Sequence, residues 1–193
     1  MKILIAAPTG REYKYIKAAI ENMATRHDYT VICCGVGKAA AAASVAAALS
    51  GNRYDRVAVI GFAAGTSGFR QGDVVVASEV RYHDTNVPDG FVPELTDPYA
   101  LEGGDGTKIF TGDSFVDASM VGGIKARFGV SRALFDMEIG AIAIAATLCG
   151  KVPVSAVKVI SDVPEDGHTD LSYEEFADSH SDFTPLLLAI EKF

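Results

Sequence analysis

Residues 152–166 read V-P-V-S-A-V-K-V-I-S-D-V-P-E-D, and the reading of this stretch decides the fold. A β-branched, nearly uninterrupted apolar run lies between Pro153 and Pro164 and ends abruptly in a polar, acidic turn. That pattern predicts a strand over residues 154–162, covered on both faces, in the middle of an α/β sheet. Asp162 then stands where the buried strand opens, the place where α/β folds put ligands and their chemistry. Partial burial there raises a carboxyl pKa toward values useful to a general acid. Taken alone, the stretch favours a plainer reading in which Ser161 and Asp162 cap the turn and the helix that follows.

Outward from this strand, Phe135-Asp136-Met137-Glu138 reads as the opening of a very apolar helix, Ile139 to Leu148. A Glu at the first turn of a buried helix needs hydrogen-bond donors, and sugar hydroxyls would serve. At the start of the chain, Lys2 to Ala7 predicts a strand broken by Pro8-Thr9-Gly10. Apolar residues at helical spacing from Arg11 to Met23 then predict an amphipathic helix. Glu12 falls in its first turn, either as a carboxylate favoured by the helix dipole or as a second acid at the mouth of a strand-to-helix turn.

Tyr29 to Cys34 is a further strand, followed by Gly35-Val36-Gly37-Lys38 and an alanine-rich helix over 39–49. The G-x-G-K lacks the spacing and terminal Ser/Thr of a phosphate-binding loop, which excludes nucleoside triphosphates. Asp55 to Ile60 is a strand running into a small-residue loop, Gly61 to Thr66. Val74 to Ser78 is another strand, and Arg81-Tyr82-His83-Asp84 is a polar segment after it. Thr85 to Gly106 reads as one long loop, rich in Pro, Gly and Asp. After the short strand Ile109-Phe110-Thr111, Phe115 is a candidate for stacking on a planar ligand and equally a core aromatic. A last helix is expected from Tyr173 to Phe193, interrupted at Pro185.

The 193 residues fit a single domain spanning 1–193, with a composition, 49% hydrophobic and 22% charged, of an ordinary globular protein. A net charge of -8, with 17 dispersed Lys and Arg, weighs against nucleic acid as partner but not against an uncharged nucleoside. The three cysteines, Cys33, Cys34 and Cys149, form no C-x-x-C pair and read as buried reduced thiols, so a cytoplasmic location is expected. The N-terminal apolar run is too short for a signal peptide or a membrane span. His27, His83, His168 and His180 show no paired ligand spacing, so no metal is expected; His83 and His168 read as solvated loop histidines, with the pocket mouth as the alternative.

The ordered set Gly35-Val36-Gly37-Lys38, Gly72-Asp73-Val74-Val75, Arg81-Tyr82-His83-Asp84, Gly112-Asp113-Ser114-Phe115, Asp136-Met137-Glu138 and Ile160-Ser161-Asp162-Val163 resembles the purine nucleoside phosphorylase and nucleosidase superfamily. It is most similar to the methylthioadenosine/S-adenosylhomocysteine nucleosidase branch, and the likeness extends to Leu171-Ser172-Tyr173-Glu174-Glu175-Phe176. The resemblance implies a three-layer α/β/α sandwich around a mixed, twisted sheet that partly closes on itself. It implies a homodimer, a nucleoside substrate and no cofactor.

Carried over by resemblance, Asp162 would be the general acid at N7 of the purine and Ser161 would hold its carboxyl. Glu138 would bind the ribose 2′ and 3′ hydroxyls, with Met137 packed against the sugar. Phe115 would stack on the base, with Val116 offering backbone hydrogen bonds, and Glu12 would position and activate the attacking water. Cleaving an N-glycosidic bond builds positive charge on the ribose and negative charge on the base, so an acid on one side and carboxylates on the other suit the chemistry.

Two members of the expected substrate-binding set depart from the family: Phe62 stands where a small hydroxyl residue is common, and Lys158 where Arg is common, which gives up the planar fork. Pro8-Thr9-Gly10-Arg11 replaces an acid-rich start, and the middle loop is abbreviated. Val59 holds the place where a phosphorylase would carry a phosphate-binding Arg, which favours water over phosphate. The implied activity is hydrolysis of 5′-modified adenosines such as methylthioadenosine and S-adenosylhomocysteine. Futalosine hydrolysis, phosphorolysis and non-catalytic nucleoside binding remain as alternatives.

Overall fold

The computed structural model describes residues 1–85, 99–168 and 170–193. Its centre is one mixed sheet built from β1 (Lys2–Ala7), β2 (Asp28–Cys33), β3 (Arg56–Gly65), β4 (Val74–Tyr82), β5 (Tyr99–Ala100), β6 (Thr107–Thr111), β7 (Ala133–Asp136) and β8 (Val154–Asp162). The order is β2-β1-β3-β7-β6-β4-β5, with β8 pairing both β3 and β4. Strands β3, β8, β4, β6 and β7 therefore form a closed ring, and the sheet curls on itself as the family resemblance implies.

Strand β8 is buried at all nine positions, as its apolar sequence predicts. Alternate residues feed two separate cores. Val154, Ala156 and Ile160 face one side, where α2 (Lys38–Gly51) packs its Ala41, Val45 and Leu49 row against α4 (Ile139–Leu148). Val157 and Val159 face the other side, against α1 (Gly10–Glu21), α5 (Asp170–Ser179) and α6 (Thr184–Ile190). Helices on both faces of a sheet make three α/β/α layers. Helix α3 (Ala118–Phe128) closes one end by setting Val121 and Ile124 against Phe110 and Phe135.

Several expectations need correction. The small residues 61–65 are not a loop: β3 runs to Gly65 because it pairs there with β8 on one edge and β7 on the other. Residues 133–136 are the strand β7 rather than a helix opening, and α4 begins only at Ile139. Helix α3 had no sequence-based counterpart. Of the long loop expected from Thr85 to Gly106, residues 86–98 lie outside the described residues, and Tyr99–Ala100 adds a strand to the edge of β4. The final helix is two, α5 and α6, since Pro185 opens a new one. Cys33 is exposed, not buried. His83 is buried, not solvated, and His168 accepts a hydrogen bond from the Val163 N–H at 2.8 Å.

Candidate active site

The register of β3 and β8 slips at the mouth of the sheet. Ala63 pairs Ile160, but Ala64 pairs Asp162, so Ser161 is an extra residue in its strand. Such a bulge re-aims the side chains beside it. Ser161 Oγ lies 3.2 Å from the Ala63 carbonyl and 2.5 Å from Asp162 Oδ1, while the Ser161 carbonyl accepts from Gln71 Nε2 at 2.7 Å. Asp162 itself is almost wholly buried.

Glu12 is placed by the start of α1. Thr9 is the N-cap, and the two form a capping box: the Glu12 N–H donates to Thr9 Oγ1, and Glu12 Oε2 accepts from the Thr9 N–H at 2.8 Å and its hydroxyl at 2.7 Å. What an isolated capping box does not do is carry its acid into the interior. Here Oε1 reaches β3 and accepts the Phe62 N–H at 2.9 Å. Gly61 makes the room, since a Cβ there would stand 2.2 Å from Oε1.

Glu138 ends the turn between β7 and α4. Its Oε1 accepts the Gly37 N–H at 3.0 Å and its Oε2 the Met137 N–H at 3.3 Å. Burial, the neighbouring charges of Asp136 and Glu12, and too little compensation from Lys158 and Gly37 push its carboxyl up to about 7. Asp136 accepts from Thr111 Oγ1 at 2.6 Å and from the Ile139 N–H at 3.0 Å, which starts α4. Lys158 is fully buried, with Nζ 3.4 Å from Asp136 Oδ2. Burial opposes its charge, but Asp136, Glu138 and Glu12 outweigh that and hold its pKa above the usual lysine value.

These groups surround a cleft of about 240 Å³. Of the nine residues singled out from sequence, eight lie on its walls: Glu12, Phe62, Phe115, Val116, Met137, Glu138, Ser161 and Asp162. Lys158 does not; it sits behind Asp136, with which it forms an ion pair beneath the wall. Phe115 is on the rim and 53% exposed, not in the core.

Three features escaped the sequence reading. Asp136 lines the cleft although it was noted only as part of a motif, and the Gly37 N–H is a backbone donor with no side-chain signal. Tyr173 bridges the walls, edge-on to Phe62 at 6.0 Å and to Phe115 at 5.6 Å. Its helical position in the Leu171–Phe176 motif could have pointed to it. Among the described residues no group of three metal-ligating side chains occurs.

A fold with a sheet closing on itself and an acid-lined cleft at the strand ends can be set beside known proteins. The family model described as the phosphorylase superfamily matches residues 5–190, and the chain belongs to that superfamily. Its relatives there include nucleosidases. The 5′-methylthioadenosine/S-adenosylhomocysteine nucleosidase of Actinobacillus succinogenes is 30% identical over 201 residues, covering 91% of this chain and 86% of that one. The corresponding protein of Haemophilus influenzae is 33% identical over 172 residues, covering 77% and 74%. The structure of the Streptococcus pneumoniae nucleosidase with a transition-state inhibitor superimposes with a TM-score of 0.84 at 25% identity, covering 100% of this chain and 99% of that one.

Proposed function

We propose that the protein is a cofactor-independent purine nucleosidase that hydrolyses the N-glycosidic bond of 5′-modified adenosines, giving adenine and the ribose derivative. The observation that carries this reading is the placement of Asp162, Glu12 and Glu138 on one cleft in three different surroundings. Carboxyl groups in unlike environments can take unlike tasks.

Ser161 supplies the argument for Asp162. A hydroxyl has one proton, and the Ala63 carbonyl 3.2 Å away can only accept. If Ser161 donates to that carbonyl, the 2.5 Å contact to Asp162 is satisfied by a proton on Asp162. A protonated Asp162 is what the departing base needs, because protonation at N7 removes the negative charge that would otherwise build on the leaving group. At the other end Glu138 accepts from the ribose hydroxyls, and Glu12, fixed by three hydrogen bonds from Thr9 and Phe62, takes a proton from the attacking water. The carboxylates also favour the positive charge that develops on the sugar.

Water, not phosphate, is the proposed nucleophile. Among the described residues no Arg or Lys lines the cleft, and a phosphate dianion would face Glu12 and Glu138 with only the buried Lys158, already paired to Asp136, as counter-charge. A second reading, hydrolysis of futalosine, draws support from Pro8 and Thr9 on the cleft wall, since that sister branch shares the Ala-Pro-Thr strand end.

The proposed working form is a homodimer of a single domain, 1–193, in the cytoplasm. Support comes from the half-exposed Val36 and Phe115 on the cleft rim, which a second copy would cover, and from cysteines that form no disulfide among the described residues. No helix among the described residues is long and apolar enough to cross a membrane.

The deciding experiment is chromatography of products from methylthioadenosine, S-adenosylhomocysteine, adenosine, inosine and futalosine, with and without phosphate. Adenine released without phosphate supports the first reading, and hypoxanthine from futalosine alone supports the second. Strict phosphate dependence, or no release, overturns both.

A further inference from the structure

Three loops meet beside Glu138, following β2, β4 and β6, and one side chain ties them together. Lys38 Nζ donates to both carboxylate oxygens of Asp84 at 2.9 Å and lies 3.1 Å from Asp113 Oδ2. The Lys38 N–H donates to Asp113 Oδ1 at 3.0 Å, and the Asp113 N–H donates to Asp84 Oδ2 at 2.9 Å. Just before Lys38, Gly37 turns at φ 87° and points its N–H at Glu138. Two residues after Asp113 comes Phe115 on the cleft rim.

Helix stability does not explain the Lys38 side chain. Asp113 caps the Lys38 N–H at the start of α2, which favours the helix, but an ammonium at that end opposes the helix dipole. Nor is it an ordinary surface pair of little consequence. Lys38 and Asp84 are only 23% and 30% exposed, and the network includes two backbone donors and the Tyr82 ring 5.0 Å from the ammonium.

We propose that Lys38 is a positioning residue: by clamping the 35–38 and 112–115 loops to Asp84 it holds the Gly37 N–H on Glu138 and Phe115 over the cleft. The inference rests on the reading of Glu138 as the carboxylate that binds the ribose hydroxyls. Glu138 is faced by Asp136 from β7, Lys158 from β8, Glu12 from α1, Tyr173 from α5 and Cys34 after β2. The Gly37 N–H is the shorter of two backbone donors to Glu138, at 3.0 Å against 3.3 Å for the Met137 N–H, and it favours the carboxylate form. Without it the Glu138 pKa rises further, less carboxylate is present at a given pH, and substrate binding fails at a higher pH.

The test compares wild type with Lys38→Met and Lys38→Arg, with Asp84→Asn as an independent way to open the clamp. Base release by Lys38→Met should show a KM raised roughly tenfold with a smaller change in kcat. Its acid limb of kcat/KM should move to higher pH, and Lys38→Arg should restore most of both. A Lys38→Met protein with the wild-type KM and acid limb overturns the clamp. The clamp is also read without substrate: faster hydrogen exchange at the Gly37 amide and an upward shift in the Glu138 carboxyl titration, followed by carbon-13 NMR, are expected in Lys38→Met and Asp84→Asn. Unchanged exchange and titration in both variants overturn it as well. Wild-type protein that releases no base from any nucleoside defeats the nucleosidase reading instead and leaves the NMR result to decide the clamp.

Discussion

At the end of the cleft assigned to the base, Asp162 rests against a neutral hydroxyl; at the end assigned to the sugar, Glu12, Asp136 and Glu138 crowd around the buried ammonium of Lys158. The contrast follows the reaction. A base that leaves must gain a proton, so its end keeps a carboxyl beside a partner that can accept a proton's hydrogen bond. A ribose that loses the base becomes positive, so its end holds an excess of negative charge, only partly balanced by Lys158. Preorganised charge of this kind is most effective in a site from which water is largely excluded.

The largest loss is expected at Asp162. Asp162→Asn retains the shape and the contact with Ser161 but has no acidic proton to give. Turnover is expected to fall by about 10²–10⁴, with nucleoside binding by calorimetry little changed. Wild-type turnover in this variant would move the acid to another residue.

Next in size is Lys158→Met, which leaves the sugar-end carboxylates without their buried counter-charge. Removing one partner of a buried pair typically costs about 3–5 kcal/mol. Urea unfolding at neutral pH should show a loss of that order, shrinking in acid as the carboxylates protonate. Unchanged stability would mean that the hydrogen bonds from Thr111, Ile139 and Gly37 alone hold the cluster.

Gly61→Ala sharpens the same contrast without touching a charge. The new Cβ would stand 2.2 Å from Glu12 Oε1 and 3.0 Å from its Cδ, so Glu12 must leave its place on the Phe62 N–H. Displacement of a reacting group by about 1 Å costs on the order of 10²-fold in rate. Base binding at the Asp162 end should survive, as adenine calorimetry would register. Equal losses at both ends would show that the two are not independent.

The base end was legible in the sequence and the sugar end only in part, for a physical reason. Strand β8 announces itself by an unbroken β-branched run, and the acid at its end follows from its place in the chain. The sugar end is assembled from pieces that carry weak local signals. Residues 61–65 are small and read as a loop, yet pairing on both edges makes them strand, an override of propensity by tertiary contacts. Strand β7 is four residues long and runs into α4 after a two-residue turn, so a helical reading absorbed it. Lys158 was expected to touch substrate because it occupies a family position. The alternation of a strand sends it to the face shared with Asp136, beneath the wall. Gly37 stands in a recognisable Gly-Val-Gly-Lys motif, but no side chain signals that its backbone N–H points at Glu138.

The smallest expected effect is the most informative about the base end. Ser161→Ala removes one hydroxyl from a contact of 2.5 Å, and a loss of about 3- to 10-fold in kcat/KM is expected for one hydrogen bond. Its size says little, but the accompanying shift in pH dependence has a sign that separates two arrangements. If Asp162 carries the proton and Ser161 accepts it, losing Ser161 destabilises the neutral acid, lowers its pKa and moves the basic limb of kcat/KM to lower pH. If Ser161 instead donates to an ionised Asp162, losing it destabilises the carboxylate, raises the pKa and moves that limb to higher pH. The proposed mechanism requires the first outcome, since only then does the hydroxyl between Ala63 and Asp162 keep the base-end acid charged with its proton while the sugar end stays anionic.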